Sequence, residues 1–135
     1  PTSNINVRSG VAPIRRYMEA GLNIGLGSDI SGGHTMDMAA VVRRVLESAK
    51  LLWRLEGIGP HLTAAEAFYL ASRGGGAYFG RVGAFESGFD FDAVAVLDRA
   101  ARDEGDDMPK RFEKLIYCAG SRDVRAKYVA GRQVY

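Results

Sequence analysis

Met38, Val42, Val45, Ala49 and Leu52 recur at steps of four and three, while Arg43, Arg44, Glu47, Lys50 and Arg54 gather largely on the opposite side. That spacing predicts one amphipathic helix over about Met36 to Leu55, closed by Gly57 and Pro60. Ahead of it, Ile14, Tyr17 and Met18 form a short apolar face that starts at Pro13 and stops at Gly21. Proline loses nothing in a first helical turn, and glycine is a natural stop. Residues 1–10 are polar and turn-prone. Between the two helices, Leu22-Asn23-Ile24-Gly25-Leu26-Gly27-Ser28-Asp29 reads as a buried strand with a polar tip, whose close neighbours exclude side chains at Gly25 and Gly27. Ile30 to Thr35 is expected to loop around Gly32-Gly33. Thr63-Ala64-Ala65-Glu66 has the capping-box pattern, in which hydroxyl and carboxylate each satisfy a free first-turn N–H. The helix that it opens carries Ala67, Phe68, Leu70 and Ala71 as far as Gly74-Gly75-Gly76, with a brief helical piece over Ala77 to Phe79.

After Arg81 the pattern shifts towards strands. Val82 to Gly88 reads as a strand or turn, and Phe91 to Leu97 as a strand rich in Val and Ala. Asp98 to Met108 is a charged stretch, expected to be a solvated loop, and Pro109 to Ile116 a short helix. Asp123 to Tyr135 has the form of a hairpin turning at Ala130-Gly131. The fold class is therefore α/β, with an α/β part over residues 1–80 and a mainly β part over 81–135.

Composition adds bounds. Hydrophobic residues make up 47% of the 135, enough for a core and too many for a disordered segment. Eighteen basic against sixteen acidic residues leave a net charge of +2, which offers no electrostatic reason to expect nucleic acid or an anionic membrane as partner. No apolar run approaches the roughly 20 residues of a membrane span. The single cysteine, Cys118, cannot form an internal disulfide, and a reducing, cytoplasmic setting is expected. The chain opens on Pro1 with no charged-then-apolar leader and is expected to start after a cut or processing step.

Asp29 is the foremost candidate for chemistry. A carboxylate directly after a buried strand and before a glycine-rich loop stands where α/β barrels and sheets gather their active groups. There it can ligate a metal or carry a proton; the competing reading is a cap on the turn or helix that follows. Gly25-Leu26-Gly27-Ser28-Asp29-Ile30 opens like a dinucleotide fingerprint, but the third glycine is Ile30 and no helix follows at once. Gly74-Gly75-Gly76 lacks the Lys-Ser/Thr of a P-loop. His34 and His61 stand apart and read as surface or capping residues. Cys118 reads as a buried small residue, Trp53 as core or interface, and Ser3, beside Asn4, as a weak pocket-lining candidate.

Taken in order, Pro1-Thr2-Ser3-Asn4, Gly21 to Asp29, Leu62-Thr63-Ala64-Ala65-Glu66-Ala67, Gly83 to Asp98 and Tyr128-Val129-Ala130-Gly131 resemble the C-terminal part of the amidohydrolase superfamily. Within it the guanine deaminase branch is most similar, because Asp29 is followed by Ile30-Ser31-Gly32-Gly33. The run Tyr117-Cys118-Ala119-Gly120-Ser121-Arg122-Asp123-Val124 also aligns with the branch's Tyr-x-Gly-x-x-Arg-Asn pattern, with Arg122 in register. Ser87, Phe89 and Phe91 depart from the branch's Pro-Gly-Lys-x-Ala-Asp run, although Asp92 keeps its acid, and residues 119–121 lack its glycine and acidic pair.

The resemblance implies the C-terminal part of a distorted (β/α)8 barrel with strands of a small β-sandwich. It implies one zinc held by histidines upstream of this chain together with Asp29, and guanine, a small purine base, as substrate. Asp29 would there act as both metal ligand and proton carrier. Standing alone, the chain is expected to be inactive, to bind zinc weakly, and to associate through an open strand edge at residues 22–28 as a homo-oligomer, a dimer being the simplest. Two other readings stay open: an amidohydrolase acting on another purine, a pyrimidine or a triazine, and a non-catalytic structural or oligomerisation module.

Overall fold

The computed structural model describes residues 1–99, 105 and 107–135. Its first element is a short helix that the polar opening did not suggest, α1 (Thr2–Asn6), with Thr2 and Ser3 buried against the rest of the chain. Helix α2 (Ile14–Glu19) follows Pro13 as the sequence predicts. The long amphipathic helix is α3 (Met38–Glu56). Its first turn is capped by Asp37, whose carboxylate accepts the Ala39 N–H at 2.9 Å, and Gly57 closes it in the left-handed conformation. The apolar stripe is buried as expected at Val42, Val45 and Leu52, and it widens to take in Val41, Leu46 and Ser48.

Helix α4 (Ala64–Tyr69) opens on the predicted capping box. The Thr63 hydroxyl accepts the Glu66 N–H at 3.2 Å, and the Glu66 carboxylate accepts the Thr63 N–H at 2.8 Å. Beyond Tyr69 the helix loosens into a single π-helical turn, Leu70–Gly74. The core forms where α2, α3, α4 and a later helix meet: Ile14, Val42, Val45, Leu46, Leu62, Ala67, Leu70 and Ile116 make one contiguous cluster.

Residues 22–28 cross this cluster. Ile24, Leu26 and Ser28 are half-buried, while Asn23, Gly25, Gly27 and Asp29 are exposed. Such a period of two is what an extended chain produces, and Ile24 and Leu26 pack on the core. The segment is not, however, the buried sheet strand that the sequence predicts. Among the described residues it joins no ladder, and its backbone links to the helices are the Leu22 N–H donated to the Tyr17 carbonyl at 3.0 Å and the Leu26 N–H donated to the Leu70 carbonyl at 2.9 Å. Strand formation needs a neighbour, and pairing is not a local property of the run. The predicted tight approach holds at Gly25, where a Cβ would stand 2.8 Å from the Gly75 Cα, but not at Gly27, which faces open space.

The second part is a three-stranded antiparallel sheet in the order β1-β2-β3, built from β1 (Ala93–Val96), β2 (Val124–Val129) and β3 (Arg132–Gln133). Ala93 pairs with Tyr128 and Ala95 with Ala126, with an irregularity before Val96. The β2–β3 hairpin turns at Ala130-Gly131, both at positive φ, the backbone of a two-residue hairpin loop. Residues 82–88 form turns rather than a strand. Helix α5 (Met108–Cys118), slightly longer than predicted, leaves this part to lie on α3 and α4, contributing Ile116 to the core. Packing thus crosses residue 81. The predicted solvated loop at 98–108 lies largely outside the described residues.

One core expectation is corrected: Cys118 is exposed, on the solvent side of the last turn of α5. Trp53, read as core or interface, is outside the core and about half-exposed, its ring 5.1 Å from that of His61 in an edge arrangement. Among the described residues no helix is long and apolar enough to cross a membrane.

Candidate active site

Asp29 ends the 22–28 segment and begins a tight turn. Its φ is 45°, and Ser31 within the same turn has φ 115°, conformations that residues with a Cβ adopt at a cost. The Gly33 N–H closes the turn on the Asp29 carbonyl at 2.6 Å. Glycine is required at position 33, where a Cβ would run into the Ser28 carbonyl oxygen, while a Cβ on Gly32 would lie 2.8 Å from the movable Asp29 Oδ2. The backbone therefore positions the carboxylate, and no side chain grips it: among the described residues the Asp29 carboxylate accepts no hydrogen bond, whereas those of Asp37 and Asp92 do. The cap on the following helix is Asp37, a residue that the sequence reading passed over. A Thr-x-Asp pattern was the available signal, since the Thr35 hydroxyl in turn accepts the Asp37 N–H at 3.0 Å.

Helix α1 lies alongside this turn. Burial pushes the pKa of the Pro1 amino group down, and the charge of Asp29 opposes that fall, which puts the start of α1 within electrostatic reach of the carboxylate. At its other end Asn6 Nδ2 donates to the Gly32 carbonyl at 3.3 Å and stands 3.1 Å from His34 Nδ1. His34 is therefore exposed but not solitary. Ser3 is buried in α1 and lines neither of the two cavities described here.

The larger cavity, about 370 Å³, is bounded by Asn23, Gly25, Gly74, Gly75, Ala77 and Tyr78. It runs along the exposed face of the 22–28 segment, the face that also carries Asp29. Asp29 itself is exposed and lies outside its wall. A smaller cavity, about 190 Å³, lies between α3 and α5 with Lys50, His61, Glu113 and Tyr117 on its walls. Lys50 Nζ there donates to the Tyr117 hydroxyl at 3.1 Å. His61 takes no part with Asp29; its Nδ1 lies 3.0 Å from the Leu62 carbonyl.

A catalytic zinc takes about three protein ligands. Among the described residues no three His, Cys, Asp or Glu side chains converge, so this chain by itself does not fit a complete zinc site.

The Amidohydrolase family matches residues 1–134, and the chain belongs to it. Among its relatives is a guanine deaminase of Dictyostelium discoideum, 33% identical over 99% of this chain and 32% of that protein. The structure of guanine deaminase from C. acetobutylicum with guanine bound in its active site superposes with a TM-score of 0.91 at 40% identity, over 100% of this chain and 32% of that one. An adenosine deaminase from Xanthomonas campestris with bound Zn superposes at 0.80 with 26% identity, over 98% of this chain and 30% of its own. The chain spans about a third of the length of the relatives it matches.

Proposed function

We propose that this chain is the part of a guanine deaminase-type enzyme that presents Asp29 to the reacting base. The observation that carries the reading is Asp29 itself, an acid aimed by a costly backbone conformation and used neither as a cap nor in an ion pair among the described residues. The likeness to a guanine-bound deaminase over the full chain supports guanine as the substrate. In this reading residues 1–80 supply the last strand and flanking helices of a (β/α)8 barrel, and residues 81–135 supply strands of a small β-sandwich. The alternating burial of 22–28 then belongs to a barrel strand whose neighbours lie elsewhere in a longer protein, and its unpaired backbone is where a second chain or segment would join.

The reaction replaces an amine with oxygen. As water adds to C2 of guanine, the Asp29 carboxylate accepts the proton that the water loses. It then returns the proton to the amine, the C2–N bond breaks, and xanthine and ammonia result. A positioned acid–base group of this kind contributes about 10²–10⁴ in rate. Asp29 would also be this chain's contribution to a zinc set completed by residues outside it.

In the full-length protein, Asp29→Asn is expected to lower guanine hydrolysis by about 10²–10⁴-fold with its circular dichroism unchanged. Retention of wild-type turnover by that variant sinks the reading. Similarity to an adenosine deaminase favours one alternative, a related aminohydrolase acting on a different amino-heterocycle; a panel of purines, pyrimidines and triazines separates the two.

A further inference from the structure

We propose that Asn6 and His34 are positioning residues for Asp29, holding the turn that aims its carboxylate; the inference rests on the role given to Asp29 above. Asp29 and Ser31 both stand at positive φ. Strained backbone of this kind persists only where surrounding structure over-determines it. Within the turn the Gly33 N–H to Asp29 carbonyl bond supplies one constraint. From outside it, among the described residues, the constraint is the Asn6 carboxamide. Its Nδ2 carries two hydrogens, enough to serve the Gly32 carbonyl at 3.3 Å and His34 Nδ1 at 3.1 Å together. In that arrangement His34 Nδ1 is the acceptor, so the ring proton of the neutral imidazole sits on Nε2.

The two bonds join residues 26 and 28 positions apart, so they tie the turn to a separate element rather than to itself. That element is anchored: Asn6 ends α1, and Thr2 and Ser3 at the other end of α1 are buried. The start of α1 is buried while its end grips Gly32 and His34. The helix therefore lies along the turn as a brace. Both act through the backbone that carries Asp29.

The test uses the full-length protein. Asn6→Ala and His34→Leu are each expected to lower kcat by about 10–100-fold while KM stays within about twofold, as for a reacting group displaced by less than a bond length or two. His34→Asn keeps an acceptor close to the position of Nδ1 and is expected to recover kcat to within about threefold of wild type. By hydrogen exchange, the peptide covering residues 29–34 is expected to exchange about tenfold faster in Asn6→Ala, with the α3 peptide unchanged. Full activity in Asn6→Ala, or equal acceleration of both peptides, overturns the proposal. The two failures are distinguishable. An active Asp29→Asn variant removes the functional reading, whereas an inactive Asp29→Asn beside a fully active Asn6→Ala removes only the brace.

Discussion

At the start of α4 the Glu66 carboxylate is surrounded by donors. It accepts from the Thr63 N–H and hydroxyl at 2.8 and 3.0 Å, and the Arg15 guanidinium grips both of its oxygens at 2.9 Å. Arg15 also donates to the Pro60 and His61 carbonyls, which knits α2 to the α4 corner. At the glycine turn the Asp29 carboxylate has no such company among the described residues, and its position comes from backbone torsions instead. The contrast separates two uses of an acid. A carboxylate with its oxygens satisfied holds the fold together, whereas one aimed and left open contributes nothing evident to folding and is available to a ligand.

Removing a partner from the saturated corner should be the most damaging change. Arg15→Ala, which strands a half-buried Glu66, is expected to cost about 1–3 kcal/mol, read as a lower urea midpoint without a change in slope. Acid should erase part of the same stabilisation. Burial alone would raise the pKa of Glu66, but the Arg15 and Thr63 bonds outweigh it and hold it below the ordinary 4.5. A depressed folded-state pKa stabilises above the unfolded value and is lost as pH falls through the folded one. Wild-type stability should therefore drop from about pH 4.5 downward, and more steeply than in Arg15→Ala, by urea titration across that range. Asp29→Asn should barely register on the same scale, within about 0.5 kcal/mol. A large loss there would make Asp29 a structural residue and erase the contrast.

Asp123 belongs with Glu66. It is buried, and the Arg99 guanidinium and the Gly120 N–H hold its pKa below the ordinary carboxylate range. Its neighbour Arg122, in register with the family pattern, is exposed.

The features legible in the sequence were those that close within a few residues. The capping box at Thr63–Glu66, the apolar stripe of α3 and the hairpin turn at Ala130-Gly131 each carry their partners nearby, so spacing alone locates them. What was not legible depends on distant partners. The 22–28 segment has the composition of a strand, but a ladder needs a second chain segment, and composition cannot supply one. His34 meets Asn6 across 28 positions, and α1 owes its form to the burial of Thr2 and Ser3 rather than to any side-chain cap. Cys118 was placed inside on residue type, yet it is exposed on the last turn of its helix. Asp29 was singled out from its neighbours; that its carboxylate has no hydrogen-bond partner among the described residues emerged only in three dimensions.

The π-helical turn at Leu70–Gly74 sets the azimuth of everything after it. An α-helix advances about 100° per residue, so excising one residue there would swing Gly74 and Gly75 away from Gly25. Through that single widened coil, the length of a helix well outside the glycine turn governs how closely the segment leading to it can seat.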